Sequence, residues 1–532
     1  MKMPYLMKNL KKYTAIAATG LALLLSSCDD YLETTPDFLS PDYYYTNPDQ
    51  VRSALNGVYN RLIDPNGRMY SKGLYSYFAI SDEGFYKNIS ANNIRVMQFD
   101  AGQLDLGRFW EVLYEGVSRA NYLLHYTNRE ALTTPEQKAL LGEAYFLRGY
   151  YYFLLTSYFG EVPLKLEPTE SPEEKPLAKS SLAQIYASIE SDMKTAEKMV
   201  LDIDALGTNE RVSLTAVQAV LARVYLKMAG EPLRDTSRYD DALEYARKVM
   251  QSGKHELNPS YEQIFINHSR DINEPKECIW EVGMYGNKIG SEDLAGSVGV
   301  ENGILCRDIE TGYSGGAIQV TKRLYDAYEE GDLRRDWNIA PYYYNVDSDT
   351  GETTRKYFTA SQIYNRNPGK WRREYETGVK AQYYNSTNFP VMRYSDVLLM
   401  FAEAANYVNH GPTAEAYEAL NMVRRRAYGL PADVPSEICD LSGLGGEQEF
   451  LAAVQQERFR EFCFEGMRKL DLIRWGIYVS TMNDYGREAA ANGGSFSYAG
   501  NSGLNVTQRN VLFPIPNTEL IINKSMTQNP GW

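Results

Sequence analysis

The chain has 532 residues, 44% of them hydrophobic and 23% charged, enough for a large core and more than one compact unit. Its formal net charge is −14, and near −18 once Lys2, Lys8, Lys11 and Lys12 of the leading segment are removed. That balance argues against nucleic acid, whose phosphates need Lys and Arg to displace counterions, and against charge-driven adsorption to anionic lipid.

The first element is a targeting segment. The four lysines form a positive front, and Thr14 to Leu25 is apolar or small, too short to span a bilayer as a mature helix. The run ends Leu25-Ser26-Ser27-Cys28, which resembles a lipobox. Small residues let a peptidase close on the chain, and the thiol is the nucleophile toward the lipid donor. Residues 1–27 are therefore expected to be removed, with Cys28 as the lipid attachment site. The alternative is a secreted protein with a chance cysteine, but the chain has only five. Cys278, Cys306, Cys439 and Cys463 are widely spaced and read as buried thiols, with disulfides as the alternative. Residues 28–50, with Pro36, Pro41 and Pro48, read as an extended tether.

Helical blocks follow. "TTPEQKALLGEAYFLRGYYYFLLTSYFG" opens with Thr134 as N-cap, Pro135 at N1 and Gln137 at N3. In "TAVQAVLARVYLKMAG", Val217, Val220, Leu221, Val224, Tyr225 and Met228 follow the spacing of one buried helical face, and Gly230 ends it. In "YDDALEYARKVMQSG", Leu243, Ala246, Val249 and Met250 repeat that spacing up to Gly253. A third hairpin runs from Ser395 to Gly429, with Ala402 and Ala405 on its packed face. A fourth starts near Glu449. The fold class expected is mainly α: a helical scaffold with four tetratricopeptide-like helical hairpins, scattered rather than tandem, and long, partly β loop insertions. Residues 260–390 and 480–515 supply those loops. "PYYYNVDSDTGETTRKYF" reads as two short strands around a turn, a reading preferred over a calcium loop because the glycine and the closing acid are misplaced.

Catalytic and cofactor motifs are missing from the sequence. His125, His255, His268 and His410 make no HExxH, and there is no P-loop, dinucleotide fingerprint or GxSxG elbow. No cofactor and no metal site is expected. Asp82 and Glu83 in "ISDEGFY" are the most tempting glycosidase carboxylates, but sequence neighbours rarely face each other across a substrate.

Several stretches then converge. "YFLRGYYYFLLTSYFGEVPL", "EEGDLRRDWNIAPY", "GKWRREYE", "FPVMRYSDVLLMFAEAANYV", "EGMRKLDLIRWG" and the tail "LFPIPNTELIINKSMTQNPGW" resemble the SusD/RagB family of outer-membrane nutrient-uptake lipoproteins. The resemblance runs from Cys28 to Trp532, with an N-terminal SusD-like part (28–280) and a C-terminal RagB/SusD part (281–532). It implies a non-enzymatic protein lipid-anchored in the outer membrane and facing outward. Such a protein binds oligo- or polysaccharide, or peptide in some members, and acts as the lid of a SusC-like TonB-dependent transporter. It also implies that Asp29 and Asp30 form a surface-export signal. Arg334, Arg335, Trp337, Trp371, Arg372 and Arg373 are expected to tie the inserted loops to the scaffold, and Asp396 to act near a helix N-terminus.

In this family ligand is held by loops, here about Tyr86 to Asp100 and Tyr285 to Tyr313. Sugar rings offer apolar C–H faces to aromatics and hydroxyls to amides and charges. Tyr86, Asn88, Asn92, Asn93, Arg95, Tyr285 and Tyr313 are the expected glycan contacts, beside Phe85, Phe99, Asn287 and Lys288. The competing readings are a peptide-binding relative, a surface glycosidase and a tetratricopeptide adaptor without a small ligand.

Overall fold

A computed structural model describes residues 44–532 apart from 65, 67, 88–92, 172 and 287–293. Cys28, Asp29, Asp30, Asn88, Asn92, Asn287, Lys288, the signal segment and most of the expected tether lie outside the described residues. The tether reading ends early: Pro48 is the first residue of helix α1 (Pro48–Ile63), capped by the Asn47 carboxamide, which accepts the N–H groups of Asp49 and Gln50 at 3.1 Å. Proline suits that first position because the N–H it lacks has no partner in the helix.

Strand β1 (Gly84–Tyr86) is followed by α2 (Leu104–Tyr126), α3 (Pro135–Phe159), α4 (Leu182–Glu197), α5 (Leu214–Ala229), α6 (Arg238–Gln251) and α7 (Tyr261–Ser269). The cap of α3 is the one read from sequence. Thr134 accepts from Gln137 N–H, and the Gln137 side chain accepts from Thr134 N–H. Helix α3 is buried almost all round because it packs on α1, α2 and α4.

Helices α5 and α6 form the expected hairpin. Val217, Val220, Leu221, Val224, Tyr225 and Met228 are all buried, and Gly230 caps the end of α5. On α6 the buried stripe is Tyr239, Ala242, Tyr245, Ala246 and Val249, while the expected Leu243 and Met250 are half-buried flanks. The small Ala242 and Ala246 let α6 approach closely, which turns the larger side chains to its sides.

The chain continues through β2 (Cys278–Val282), β3 (Ile318–Val320), α8 (Lys322–Ala327), α9 (Arg334–Asn338), β4 (Tyr342–Val346), β5 (Thr353–Tyr357) and β6 (Phe389–Arg393). Then come α10 (Tyr394–Val408), α11 (Ala414–Ala427), α12 (Glu447–Glu461), α13 (Arg468–Arg474) and α14 (Tyr478–Asn492). Helix α10 packs on α6, α11 and α12, with Ala402 and Ala405 buried at the contact. Helix α14 occupies part of the 480–515 stretch expected to be loop. Met482, Tyr485 and Ala489 sit at helical spacing and are buried. The mainly α scaffold with partly β insertions is the observed fold.

Among the described residues, three two-stranded antiparallel sheets decorate the helices. The β4–β5 hairpin is the one expected, its turn held by Asp347, which accepts N–H groups from Asp349 and Thr350. β2 pairs with β6 so that Cys278 faces Arg393 and Val282 faces Phe389. The intervening residues therefore leave the scaffold and return to it at one root.

That root is locked by buried charge. Arg393 donates to Glu277 at 2.9 Å, Glu461 at 2.8 Å and Glu465 at 2.8 Å. Arg426 reaches Glu277 at 2.9 Å and Glu461 at 2.7 Å. Arg334 joins Asp332, Glu457 and Glu461 at 2.7–2.9 Å. Such groups are tolerable out of water because each carboxylate faces several guanidinium donors. The guanidinium groups of Arg426 and Arg393 hold Glu461 well below the usual carboxylate range against the cost of burial.

Candidate functional site

The two expected binding loops meet on one carboxylate. β1 pairs with β3, Tyr86 facing Ile318, and Ile318 N–H donates to Glu301 O at 3.2 Å, which sets Glu301 beside β1. Glu301 receives Lys72 Nζ at 2.6 Å, Tyr86 Oη at 3.3 Å and Tyr77 Oη at 3.4 Å, with an Arg95 nitrogen at 3.9 Å. The Arg95 guanidinium lies 4.6 Å from the Tyr86 ring centre and 5.2 Å from that of Tyr77. Burial alone would lower the Lys72 ammonium, but Glu301 and Tyr77 outweigh it and its pKa rises. Asn93 fixes the turn by accepting Arg95 N–H at 2.9 Å.

Tyr86 is 3% exposed. Its hydroxyl is held protonated first by burial and then by Glu301, and its ring supports Arg95 rather than standing free to stack on a ligand. Phe85 and Phe99 are likewise buried. Among the described aromatics the mostly exposed rings are Tyr285, Tyr357 and Tyr383, at 73%, 68% and 54%. All three stand on the inserted loops. Tyr313, which is half-buried, packs edge-on against Tyr383 at 5.7 Å and accepts from Arg307 at 2.6 Å.

The backbone that carries these rings is tightly tied. Ser297 N–H donates to Ser71 O at 2.9 Å, and Gly296 and Asn385 exchange N–H···O bonds of 2.9 Å. Arg373 pairs with Glu376 at 2.7 Å and also donates to the carbonyls of Tyr313, Ala381 and Tyr384. Gly299 has φ +82°, and a Cβ there would lie 3.0 Å from Trp371 O, so no other residue fits without strain.

The tryptophan and arginine motifs are structural, as expected, with one exception. Trp371 donates to Phe464 O at 3.3 Å, and Arg372 lies 3.8 Å over the Trp337 ring. Arg335 instead stays half-exposed; it pairs with its neighbour Asp336 at 3.1 Å and its guanidinium lies 5.4 Å from the Tyr325 ring centre on α8. Asp396 does more than favour a helix start. It is buried and bridges Arg223 on α5, at 2.6 Å, to Arg458 on α12, at 2.5 Å.

The two tempting carboxylates differ: Asp82 is tied to an arginine, while Glu83 is buried with one oxygen, Oε2, lacking a hydrogen-bond partner among the described residues. Asp82 is fully buried and bidentate to Arg468 at 2.9 and 3.0 Å. Glu83 is pushed up to about 8 by burial, which outweighs a hydrogen bond from Phe464 N–H. His268, Cys278 and Glu281 form the one trio among the described residues that could hold a metal ion, their ligand atoms within 4.8 Å of one another. Burial and Glu281 push the Cys278 thiol well up, so it stays protonated and donates to Glu281 at 3.5 Å. All four cysteines named above are buried and free of disulfides.

Known proteins place this architecture. Residues 267–532 match the sequence model of the SusD family, and residues 30–226 match one described as starch-binding associating with outer membrane. The solved structure of a SusD homolog from Bacteroides thetaiotaomicron superposes with a TM-score of 0.84 and 31% identity, covering 92% of this chain and 98% of that one. SusD-like protein P2 of Formosa agariphila is 25% identical over 98% of this chain and 100% of its own length. Starch-binding protein SusD of B. thetaiotaomicron is also 25% identical, over 78% of this chain and 76% of its own. The chain belongs to the SusD family.

Proposed function

We propose that this protein captures oligo- or polysaccharide at the outer cell surface and passes it on as the lid of a SusC-like TonB-dependent transporter, held in the outer membrane by lipid on Cys28. The observation that carries the reading is the set of exposed tyrosines, Tyr285, Tyr357 and Tyr383, on loops that share one rigid root. An exposed tyrosine ring offers a flat apolar face on which sugar C–H groups stack while the sugar hydroxyls reach nearby polar groups. The relative named starch-binding protein SusD points the same way. So do the outer-membrane association in the family description and the Leu25–Cys28 sequence. No helix among the described residues is long and apolar enough to cross a membrane.

The test is calorimetric titration of the chain from residue 29 onward against a panel of polysaccharides and a tryptic peptide mixture. Saturable heat with one glycan class, weakened by Tyr285→Ala, supports the proposal. Heat with peptides alone replaces it by peptide capture. Release of reducing sugar that Glu83→Gln abolishes would make the protein a glycosidase.

A further inference from the structure

A second cavity lies away from the Glu301 cluster, at the other end of β1. It is a half-open cleft with a volume of about 610 Å³, lined by residues of α8, α12 and α14. Its floor is a fixed lattice of charge. The Asp82 carboxylate is bidentate to Arg468, and Arg323 lies between Asp82, at 3.7 Å, and Glu488. Arg323 also donates to Thr481 O at 3.0 Å, so its position is set from three sides. Each charge on the floor is matched by its opposite, and a ligand meets dipoles there rather than a net field.

The walls have the reverse character. Gln455 and Gln456 on α12 and Asn492 on α14 line the cavity, and among the described residues none hydrogen-bonds their carboxamides. The Tyr364 hydroxyl, also on the wall, has no hydrogen-bond partner among the described residues either, while its ring is backed by Phe496 at 6.1 Å and Phe85 at 6.0 Å. Three carboxamides, each able to donate and accept, and one braced aromatic ring thus surround a rigid, charge-balanced floor. Vicinal hydroxyls ask for that set, since each hydroxyl gives one hydrogen bond and takes others. The rim pair Lys322–Asp326 completes the charge balance, and the carboxamides, Gln455 half-buried and Gln456 and Asn492 exposed, offer donors and acceptors that water occupies until a ligand's hydroxyls replace it.

We infer that this cavity is a second carbohydrate site, built for one or two uncharged sugar rings and distinct from the tyrosine-bearing loop face. Asp82, on the cavity floor, lies two residues before β1, whose last residue, Tyr86, belongs to the Glu301 cluster.

The inference goes beyond the proposed function and is tested separately from it. Saturation-transfer NMR and calorimetry would use glucose, maltose, cellobiose and laminaribiose as probes, on the natural chain, on Tyr285→Ala/Tyr383→Ala and on Gln455→Ala/Gln456→Ala/Asn492→Ala. These wall carboxamides make no hydrogen bonds among the described residues, so their removal should leave the urea midpoint unchanged. The expected result is disaccharide binding that survives loss of the loop tyrosines and weakens about tenfold or more on loss of the three carboxamides. Disaccharide binding removed entirely by the tyrosine substitutions and untouched by the carboxamide ones would overturn the inference and leave the loop site standing. Binding of free amino acids but none of these sugars would overturn it as well.

Discussion

Two charged clusters in this molecule look alike in composition and differ in purpose. The root of the insertion gathers Arg334, Arg393 and Arg426 around Glu277, Glu457, Glu461 and Glu465, all buried and all paired. The loop face gathers Lys72 and Arg95 around the single carboxylate of Glu301, with tyrosines between them and 15–29% of each charged side chain still exposed. The first cluster is sealed from water, so removing any member strands its partners in a dry interior. The second is half-wet, and water or ligand hydroxyls can replace a lost partner. Of these two clusters, the one at the root fixes geometry and the one on the loop face is open to ligand or water.

The largest effect should come from breaking the sealed cluster. Glu461→Ala leaves Arg393, Arg426 and Arg334 without a shared acceptor, and urea denaturation should show a loss of about 3–5 kcal/mol, if the variant folds at all. Arg334→Ala should behave similarly. Its neighbour Arg335→Ala should change stability by no more than about 0.5 kcal/mol. Equal losses for Arg334 and Arg335 would erase the contrast between the clusters.

The same contrast has a pH signature. Glu457 is held down to about 2 by Arg334, Arg460 and Arg424 against burial, below its ordinary 4.5. A depressed folded-state pKa means stability that is complete above about pH 4.5 and lost as the pH falls toward 2. Glu83 has the opposite sign. Its folded value of about 8 exceeds the ordinary 4.5, so the fold loses stability as the pH rises between those limits. Glu83→Gln should flatten that slope and gain roughly 1–3 kcal/mol at pH 8. Denaturation curves at pH 5 and pH 8 check it, and an unchanged slope would place the titrating group elsewhere.

On the loop face the effects should be smaller and should appear in binding. Tyr285→Ala and Tyr383→Ala are each expected to weaken glycan by about 1 kcal/mol, roughly fivefold in Kd, with stability within about 0.5 kcal/mol of the natural chain. Glu301→Gln should lie between the two clusters, loosening Lys72 and Arg95 and costing about 1–2 kcal/mol of stability.

How far the sequence revealed these features depends on their range. Caps and faces set by residues three or four apart were legible, as at Thr134 with Gln137 and along Val217–Met228. The family stretches disclosed the scaffold as a whole. What depends on distant partners was not. "RR" at 334–335 gives no sign that one guanidinium is sealed in the core and the other stays half-exposed, because the deciding partners, Glu457 and Glu461, lie more than 120 residues away. Tyr86 lies on an expected loop but is buried, because β1 pairs with a strand from residues 318–320. Glu301 lay inside the expected binding loop and went unnamed, although it is the only acid in "GSVGVENGIL". Tyr357 and Tyr383 were missed as well. Tyr383 sits in "GVKAQYYNSTN", a Gly- and Asn-bearing loop like the one that pointed to Tyr285, and the same signal applied there would have found it.

The central claim is that the exposed tyrosines of the inserted loops carry the ligand while the buried charges beneath them only hold those loops still. Affinity electrophoresis of the natural chain and of Tyr285→Ala/Tyr383→Ala through gels containing each polysaccharide tests it most directly. The account predicts that one polysaccharide retards the natural chain, and that the double variant runs freely with its urea midpoint unchanged. Equal retardation of both proteins would contradict it.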